Sequence, residues 1–564
     1  MASLVAKTVR GQKYWQIVES RRVAGQPRSF VLAHLGRPET LLARLQGAAG
    51  PLRCRSVAHG AVAALWARAQ ALDLATLIDA QVPRDRRGRL PQRAGLTPGQ
   101  SLVLAAIARA CRPLSKRAFA GWAQTTSLGR LAGIQPARLT SQHFWEQMDT
   151  VPADRLAPIE EALVQRVVAQ ERISADTLFY DTTNFFTFID STNTRPTLPR
   201  RGHNKQKRHD LRQLGLALVV SRDGQLPLFH LLYDGDRPDV RTFPEVLTSV
   251  RGRLERLFGA RPALTLVYDT GNVSRSTQAQ VAATPLHYVS SVVPSQHAAL
   301  LAEALPRLAP VALPTGEEVQ AYRTRQPLWG QVRTLVVLRS ERLRAGQVRG
   351  LHQQLAQRLR ALAALTAGLE RPRGGRGTRA GLERRLAQIL RGQHMRRLLQ
   401  VDIVPEAGRW RVVMAVNADV YRVLTEERFG LRILMSDRDD LSTAELIVAY
   451  RGQSRAERSF REMKDPDSCS LRPQYHWTDQ KLKVHAFCCV VGYLLLKLLE
   501  RRARQAGLRF RSPRSLLRAL QAIREVTILE PAAKGRPRVR RQLEELSDTT
   551  RPLAACFNLL PPPS

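Results

Sequence analysis

The sequence predicts an α/β fold: a mixed sheet in the middle of the chain, interrupted by a strand-and-helix insertion and preceded by a small β-hairpin unit and a helical domain. Three observations carry this. Between 174 and 293 the apolar residues recur every second position, the spacing of strands. From Val57 to about Ile173 they recur at helical spacing instead. From 294 to 440 short strand patterns flank an Arg-rich helical stretch.

Taken in order, residues 3 to 36 alternate apolar and polar (SLVAKTV, YWQIVES, RSFVLAHLG), with Gly11 and Ala24-Gly25-Gln26 at the turns, which predicts a small antiparallel sheet within a unit of residues 1–50. Residues 51–173 follow as a helical domain that could bind DNA or serve packing alone, with Thr97 and Pro98 as cap and first turn of one helix. In 174–293 the strands TLFYD, QLGLALVV and QLPLFHLLY come first, the last two joined by a tight hairpin at Arg222-Asp223-Gly224. A helix from about Phe243 to Phe258 and the strands LTLVYD and LHYVSSV complete the segment. A three-strand meander, a helix and two further strands is the order of a ribonuclease-H-like sheet, although other mixed folds share pieces of it. Residues 294–440 read as an insertion, 441–505 as a second part of the core, and 506–564 as a C-terminal region. RPRGGRGTR, 371 to 379, is the clearest break, and the tail Pro561 to Pro563 is of low complexity.

The 564 residues carry 88 Lys+Arg against 48 Asp+Glu, a net charge of +40. That excess points to a polyanion, most simply nucleic acid. Because 78 of the basic residues are Arg and 10 are Lys, genome composition alone could account for much of it. With 44% hydrophobic residues the chain has ample material for packed cores, and wholesale disorder is excluded. The six cysteines, Cys54, Cys111, Cys469, Cys488, Cys489 and Cys556, show no CxxC pair and no zinc-finger spacing, so a reducing compartment is expected. Met1 to Arg10 has no apolar core of a secretory signal, and the run Val484 to Leu496 is shorter than a membrane span. A cytoplasmic, nucleoid-associated protein with a buried helix at 484–496 is the expectation.

Two strands end alike: FYDTTN places Asp181 after an apolar run, with Asn184 three on, and VYDTGN does the same with Asp269 and Asn272. A carboxylate at the end of a buried strand must be solvated, paired or bound to a cation. If the strands are neighbours, the two carboxylates converge and suit magnesium or manganese. Alternatively each Asp opens an Asx-turn.

The third element is a helix expected from about Ser442 to Lys464, capped by Ser442 or Thr443 and stopped by Pro466. At 100° per residue Tyr450, Gln453, Arg461 and Lys464 all fall within about 40° of Glu457. Glu457 could then complete a metal triad while Arg461 and Lys464 hold phosphates. The plainer alternative is a surface helix with ion pairs Glu457/Arg461 and Arg458/Glu462.

In order and approximate spacing Asp181, Asp269 and Glu457 resemble the triad of bacterial insertion-sequence DDE transposases. The helix is similar to the insertion-sequence-four-like branch, whose signature is Tyr, two residues, Arg, three residues, Glu, six residues, Lys. Tyr450, Glu457 and Lys464 match it, whereas the Arg position holds Gln453. Arg451 and Arg455 would point 120° or more away from Glu457, which leaves Arg461 as the substitute cation. GQKYWQIVES, RGHNKQKRHDL and LRPQYHWTDQKLKVHAF add to the resemblance.

The resemblance implies a ribonuclease-H-like core that binds two Mg2+ ions, for which Mn2+ may substitute, through Asp181, Asp269 and Glu457. Lys464, Arg461 and Tyr450 would contact DNA phosphates. By its charge alone the basic loop Arg200 to Arg212, six Lys/Arg against one Asp, could grip the DNA backbone through Arg201, Lys205, Lys207 and Arg208, or be an ordinary solvated loop. Between Glu341 and Gln400, 14 Arg against 3 Glu offer a further basic surface. The expected function is cleavage of the element's ends and their joining to a target. The partner is double-stranded DNA, held by a homodimer, with no membrane. The rivals are a nuclease that cuts without joining and an inactive DNA-binding scaffold.

Overall fold

The computed structural model describes residues 2–23, 26–45, 53–174, 176–190, 192–204, 206–258, 264–370, 378–406, 409–472, 474–530 and 538–560. Residues 371–377 of the expected break at 371–379, the tail at 561–563 and Lys205 lie outside them, while Thr378 caps a helix that begins at Arg379. The chain divides into two units. The first holds Met1–Leu163, Phe188–Pro196 and Glu462–Ser564, and the second holds Val164–Thr187 and Thr197–Arg461.

In the first unit, strands Ala2–Val9, Gln12–Val23 and Gln26–Gly36 form the antiparallel sheet that the alternation predicts. The helical pattern becomes a bundle that includes Gly60–Ala71 and Pro98–Cys111. Thr97 caps the latter reciprocally with Gln100, so two otherwise orphaned donors are satisfied. The helix Asp479–Gln505 packs on it. It is long and apolar enough to cross a membrane by composition, but 94% of its most apolar window is buried inside the protein, as a core helix would be. Gly492 makes the contact close, because a Cβ there would lie 2.5 Å from the Ala106 carbonyl oxygen. Strand Arg53–Ala58 pairs with Arg524–Glu530, which in turn pairs with Arg538–Leu543. The C-terminal region therefore completes a sheet begun near residue 53. Of the six cysteines, all free, four are buried.

The second unit is built on a nine-stranded sheet. Its strands in chain order are β1 (Thr177–Phe186), β2 (Gln213–Ser221), β3 (Pro227–Asp234), β4 (Thr265–Tyr268), β5 (His287–Val292), β6 (Ala309–Ala312), β7 (Glu318–Leu328), β8 (Gln331–Arg339) and β9 (Leu431–Ser436). The spatial order is β6-β7-β8-β9-β5-β4-β1-β2-β3. β1, β2 and β3 form the antiparallel meander, and β1, β4 and β5 run parallel to one another. β2 is buried along its whole length, as its unbroken apolar run requires. The crossover from β3 to β4 is the helix Asp239–Phe258, which begins four residues earlier than its apolar pattern suggests.

The stretch expected as an insertion is largely part of this sheet. β6 to β9 all come from it and extend the sheet beyond β5 through antiparallel pairs. What stands outside the sheet is the excursion between β8 and β9: the long helix Glu341–Glu370, helix Arg379–Ile389 and the hairpin Leu399–Glu406 with Arg409–Val416. These pack on one another through a small core of their own that includes Leu362, Leu365, Leu386, Leu399 and Val412.

Candidate active site

The two aspartates lie on adjacent parallel strands. The ladder between β1 and β4 ends at the pair Tyr180↔Tyr268, so Asp181 and Asp269 are the next residues on each strand. Both tyrosine rings pack against Phe243, at centroid distances of 5.0 and 4.7 Å. Strand alternation turns the aspartates to the opposite face. One expectation is corrected: Asp181 does not end its strand, because β1 continues to Phe186 through its pairing with β2. Only the parallel half of the ladder stops there. Asp269 does end β4 and leads into the short turn Thr270–Asn272.

The helix expected as one piece is two. Ser442 caps α1 (Thr443–Arg451) in a reciprocal box with Glu445. Gly452 and Gln453 then separate it from α2 (Ser454–Glu462). The reason is a contact with β1: a Cβ at Gly452 would stand 2.3 Å from Cζ of Phe179. Only glycine lets the segment approach that ring, and through the break the backbone turns on i to i−3 bonds, from Gln453 N to the Tyr450 carbonyl and from Arg455 N to that of Gly452. A uniform 100° step between 450 and 464 therefore fails.

The break redistributes the predicted side chains. Tyr450, expected on a DNA phosphate, is 4% exposed, and its hydroxyl donates to Asp269 Oδ1 at 2.9 Å while lying 2.7 Å from Ser291 Oγ. Burial pushes its phenol up to about 12, so it remains a donor. Gln453 is also buried and donates from Nε2 to the Tyr180 carbonyl at 2.7 Å. Glu457 and Arg461 are exposed and lie one turn apart on α2. Lys464 falls past the end of α2, within the first unit.

Three carboxylates act on one another here. Burial raises the Asp181 carboxyl to about 7, opposed by the Thr182 backbone N–H and reinforced by the negative charges of Asp269, Glu457 and Asp239. Among the described residues none of Asp181, Asp269 and Glu457 has a Lys, Arg or His ion-pair partner, in a chain with 88 basic residues. An all-carboxylate donor set lacking its countercharge fits a hard divalent cation. The three are not drawn into a closed cage: among the described residues no group of three or more His, Cys, Asp or Glu is tight enough to hold an ion.

A cavity of about 650 Å3 opens beside them, lined by Asp269, Tyr450, Gln453 and Glu457 together with Arg342, Arg432 and Arg451. Arg451, expected to point away from Glu457, also lines this cavity and forks onto Glu317 at 2.7 and 3.0 Å. Arg432 stacks 5.0 Å over the Tyr450 ring. Neither Arg342 nor Arg432 was singled out by the sequence. The signal for Arg342 was only the basic excess of the 341–400 stretch, and Arg432 gave none within its strand pattern. Arg455 is turned elsewhere, donating to the Arg222 carbonyl and covering Phe179.

In the basic loop, Arg201 and Lys207 are exposed. Arg208 is engaged locally, with Nε and Nη2 donating to the two oxygens of Asp210 at 2.8 and 2.7 Å.

Comparison with known proteins names the family. A family model described as a transposase DDE domain matches residues 186–476, just over half of the chain. That span contains Asp269, Tyr450 and Glu457 and begins five residues after Asp181. No curated protein matches the chain. Among solved structures, a cryo-EM structure of a piggyBac transposase synaptic complex with hairpin DNA is similar at 8% identity and a TM-score of 0.37, covering 82% of this chain and 78% of that one. A likeness of that size assigns no residue or element. On the family match, this chain belongs to the transposases that carry the DDE domain.

Proposed function

We propose that this transposase acts on its own insertion sequence, in the insertion-sequence-four-like branch, and that it cuts the element's ends and joins them to target DNA. The observation that carries this is the placing of Asp181 and Asp269 on neighbouring parallel strands, with Glu457 in electrostatic reach and, among the described residues, no cation paired to any of the three. The strand order β3-β2-β1-β4-β5, with β1, β4 and β5 parallel, supports a ribonuclease-H-like core.

On this reading Asp181, Asp269 and Glu457 would hold two Mg2+ ions, with Mn2+ as a substitute. Bound there, the ions supply Lewis acidity to an in-line phosphoryl transfer, at the attacking oxygen and at the leaving one. The chain's own residues do the rest. Arg342 and Arg432 compensate phosphate charge in the cavity, and Arg461 does so on the exposed face of Glu457. Arg201 and Lys207, with Lys205, bind the backbone of double-stranded DNA without reading its sequence. Arg208 joins them by exchanging Asp210 for a phosphate. Two ends must be held together for joining, so a homodimer on DNA is proposed, acting on nucleoid DNA in the cytoplasm.

The test incubates the protein with end-containing DNA, Mg2+ and a target plasmid, beside Asp181→Asn and Glu457→Gln. Cleavage and joining by the unaltered protein, lost in both variants, supports the assignment. Survival in both variants overturns the triad, and cleavage without joining favours a nuclease.

A further inference from the structure

The family signature puts an arginine where this chain has Gln453, and its tyrosine, Tyr450, is turned inward. Both residues touch the strands that bear the aspartates. Gln453 Nε2 donates to the carbonyl of Tyr180, the residue before Asp181, where the ladder between β1 and β4 stops. Tyr450 donates to Asp269 Oδ1, and its hydroxyl lies against Ser291 Oγ on β5. Ser291 in turn contacts Thr270 Oγ1, in the turn that follows Asp269. The Gln453 Oε1 atom is buried with no partner among the described residues, an expensive arrangement if the side chain served packing alone. Gln453 also lines the cavity that Asp269 and Glu457 share.

We infer that Tyr450 and Gln453 are a positioning pair that ties the Asp269 carboxylate and the Asp181 strand to the segment bearing Glu457. Tyr450 occupies one oxygen of Asp269 and leaves the other for a ligand. Gln453 fixes the backbone from which Asp181 projects. Neither residue needs to touch DNA. An arginine at 453 is dispensable because a neutral amide carries the tie to β1, so the departure from the signature does not mark an inactive protein. The inference rests on the proposed role of the three carboxylates.

Mn2+ binding to the DNA-free protein, followed by electron paramagnetic resonance of the free ion, separates the two. The variants are Tyr450→Phe, which removes one hydroxyl, and Gln453→Met, which keeps the size and removes the donor, with Asp181→Asn as reference. Residues that orient metal ligands typically change affinity roughly 10- to 100-fold when altered. Weakening of Mn2+ binding by about tenfold in each, with metal-free DNA binding unchanged, supports the pair. Gln453→Arg, which restores donors, should recover most of the affinity lost in Gln453→Met, whereas a role in packing alone predicts no recovery. Binding within about twofold of the unaltered protein in both variants, while Asp181→Asn abolishes it, overturns the pair and leaves the carboxylate assignment standing. Unchanged binding in Asp181→Asn overturns the carboxylate assignment itself.

Discussion

Replacing Asp181 with asparagine should stabilise the metal-free protein while abolishing its chemistry. The native carboxyl is held at about 7, chiefly by burial and then by the charges of Asp269, Glu457 and Asp239. In the unfolded chain it titrates near 3.9. Between those limits the folded state retains a proton that the unfolded state has released, so stability falls as pH rises from about 4 to about 7. At 1.36 kcal/mol for each pH unit of displacement, the ionised group costs roughly 4 kcal/mol above pH 7. Asparagine keeps an oxygen to accept from the Thr182 N–H and carries no charge. In thermal melts with a chelator present, the variant should melt close to the unaltered protein near pH 4. By pH 8 it should melt higher by roughly 8 °C, taking about 2 °C per kcal/mol for a unit of this size. Millimolar Mg2+ should close the gap by stabilising the unaltered protein more than the variant. A gap independent of pH, or no gap at pH 8, would refute the electrostatic reasoning.

Gly452→Ala, normally stabilising by up to about 1 kcal/mol in a helix, should here destabilise by about 1–3 kcal/mol, because the new methyl meets Phe179; denaturant melts give the sign. Arg461→Ala should leave the melting temperature unchanged and flatten the salt dependence of DNA binding by about one phosphate contact, measured by titration at several salt concentrations. Arg455→Ala should lower stability, since Arg455 donates to the Arg222 carbonyl and covers Phe179, and leave that salt slope alone. Equal salt slopes in the two variants would refute the distinction. Gly492→Leu should unfold the first unit, since the helix Asp479–Gln505 touches the Ala106 backbone there; loss of cooperative melting is the readout.

That the two aspartates follow like apolar runs was legible in FYDTTN and VYDTGN, although only the second of these ends its strand. The N-terminal sheet and the cap at Thr97 were local and therefore legible as well. The break at Gly452 was not, because it answers to Phe179, hundreds of residues earlier, while the apolar spacing runs through it undisturbed. A uniform helix also put Arg451 120° or more from Glu457, whereas both line one cavity. The pairing of Arg53–Ala58 with Arg524–Glu530 and the capture of β6 to β9 by the main sheet escaped notice for the same reason. Pairing between distant strands leaves no mark on either one alone.

β8 and β9 lie side by side, with Arg339 opposite Leu431. The stretch 340–430 is, in topological terms, the loop of a hairpin whose two ends are pinned at neighbouring points. Such a loop can lengthen, shorten or be exchanged without moving β9, and β9 is what delivers α1 and α2 to the aspartates. Among its described residues, only the first, Ser340, Arg342, Leu343, Gly346 and Gln347, line the cavity. On the proposed triad, the length of chain between Asp269 and Glu457 is therefore free to change without disturbing the carboxylates. The same joint offers a place to graft a foreign domain onto the enzyme.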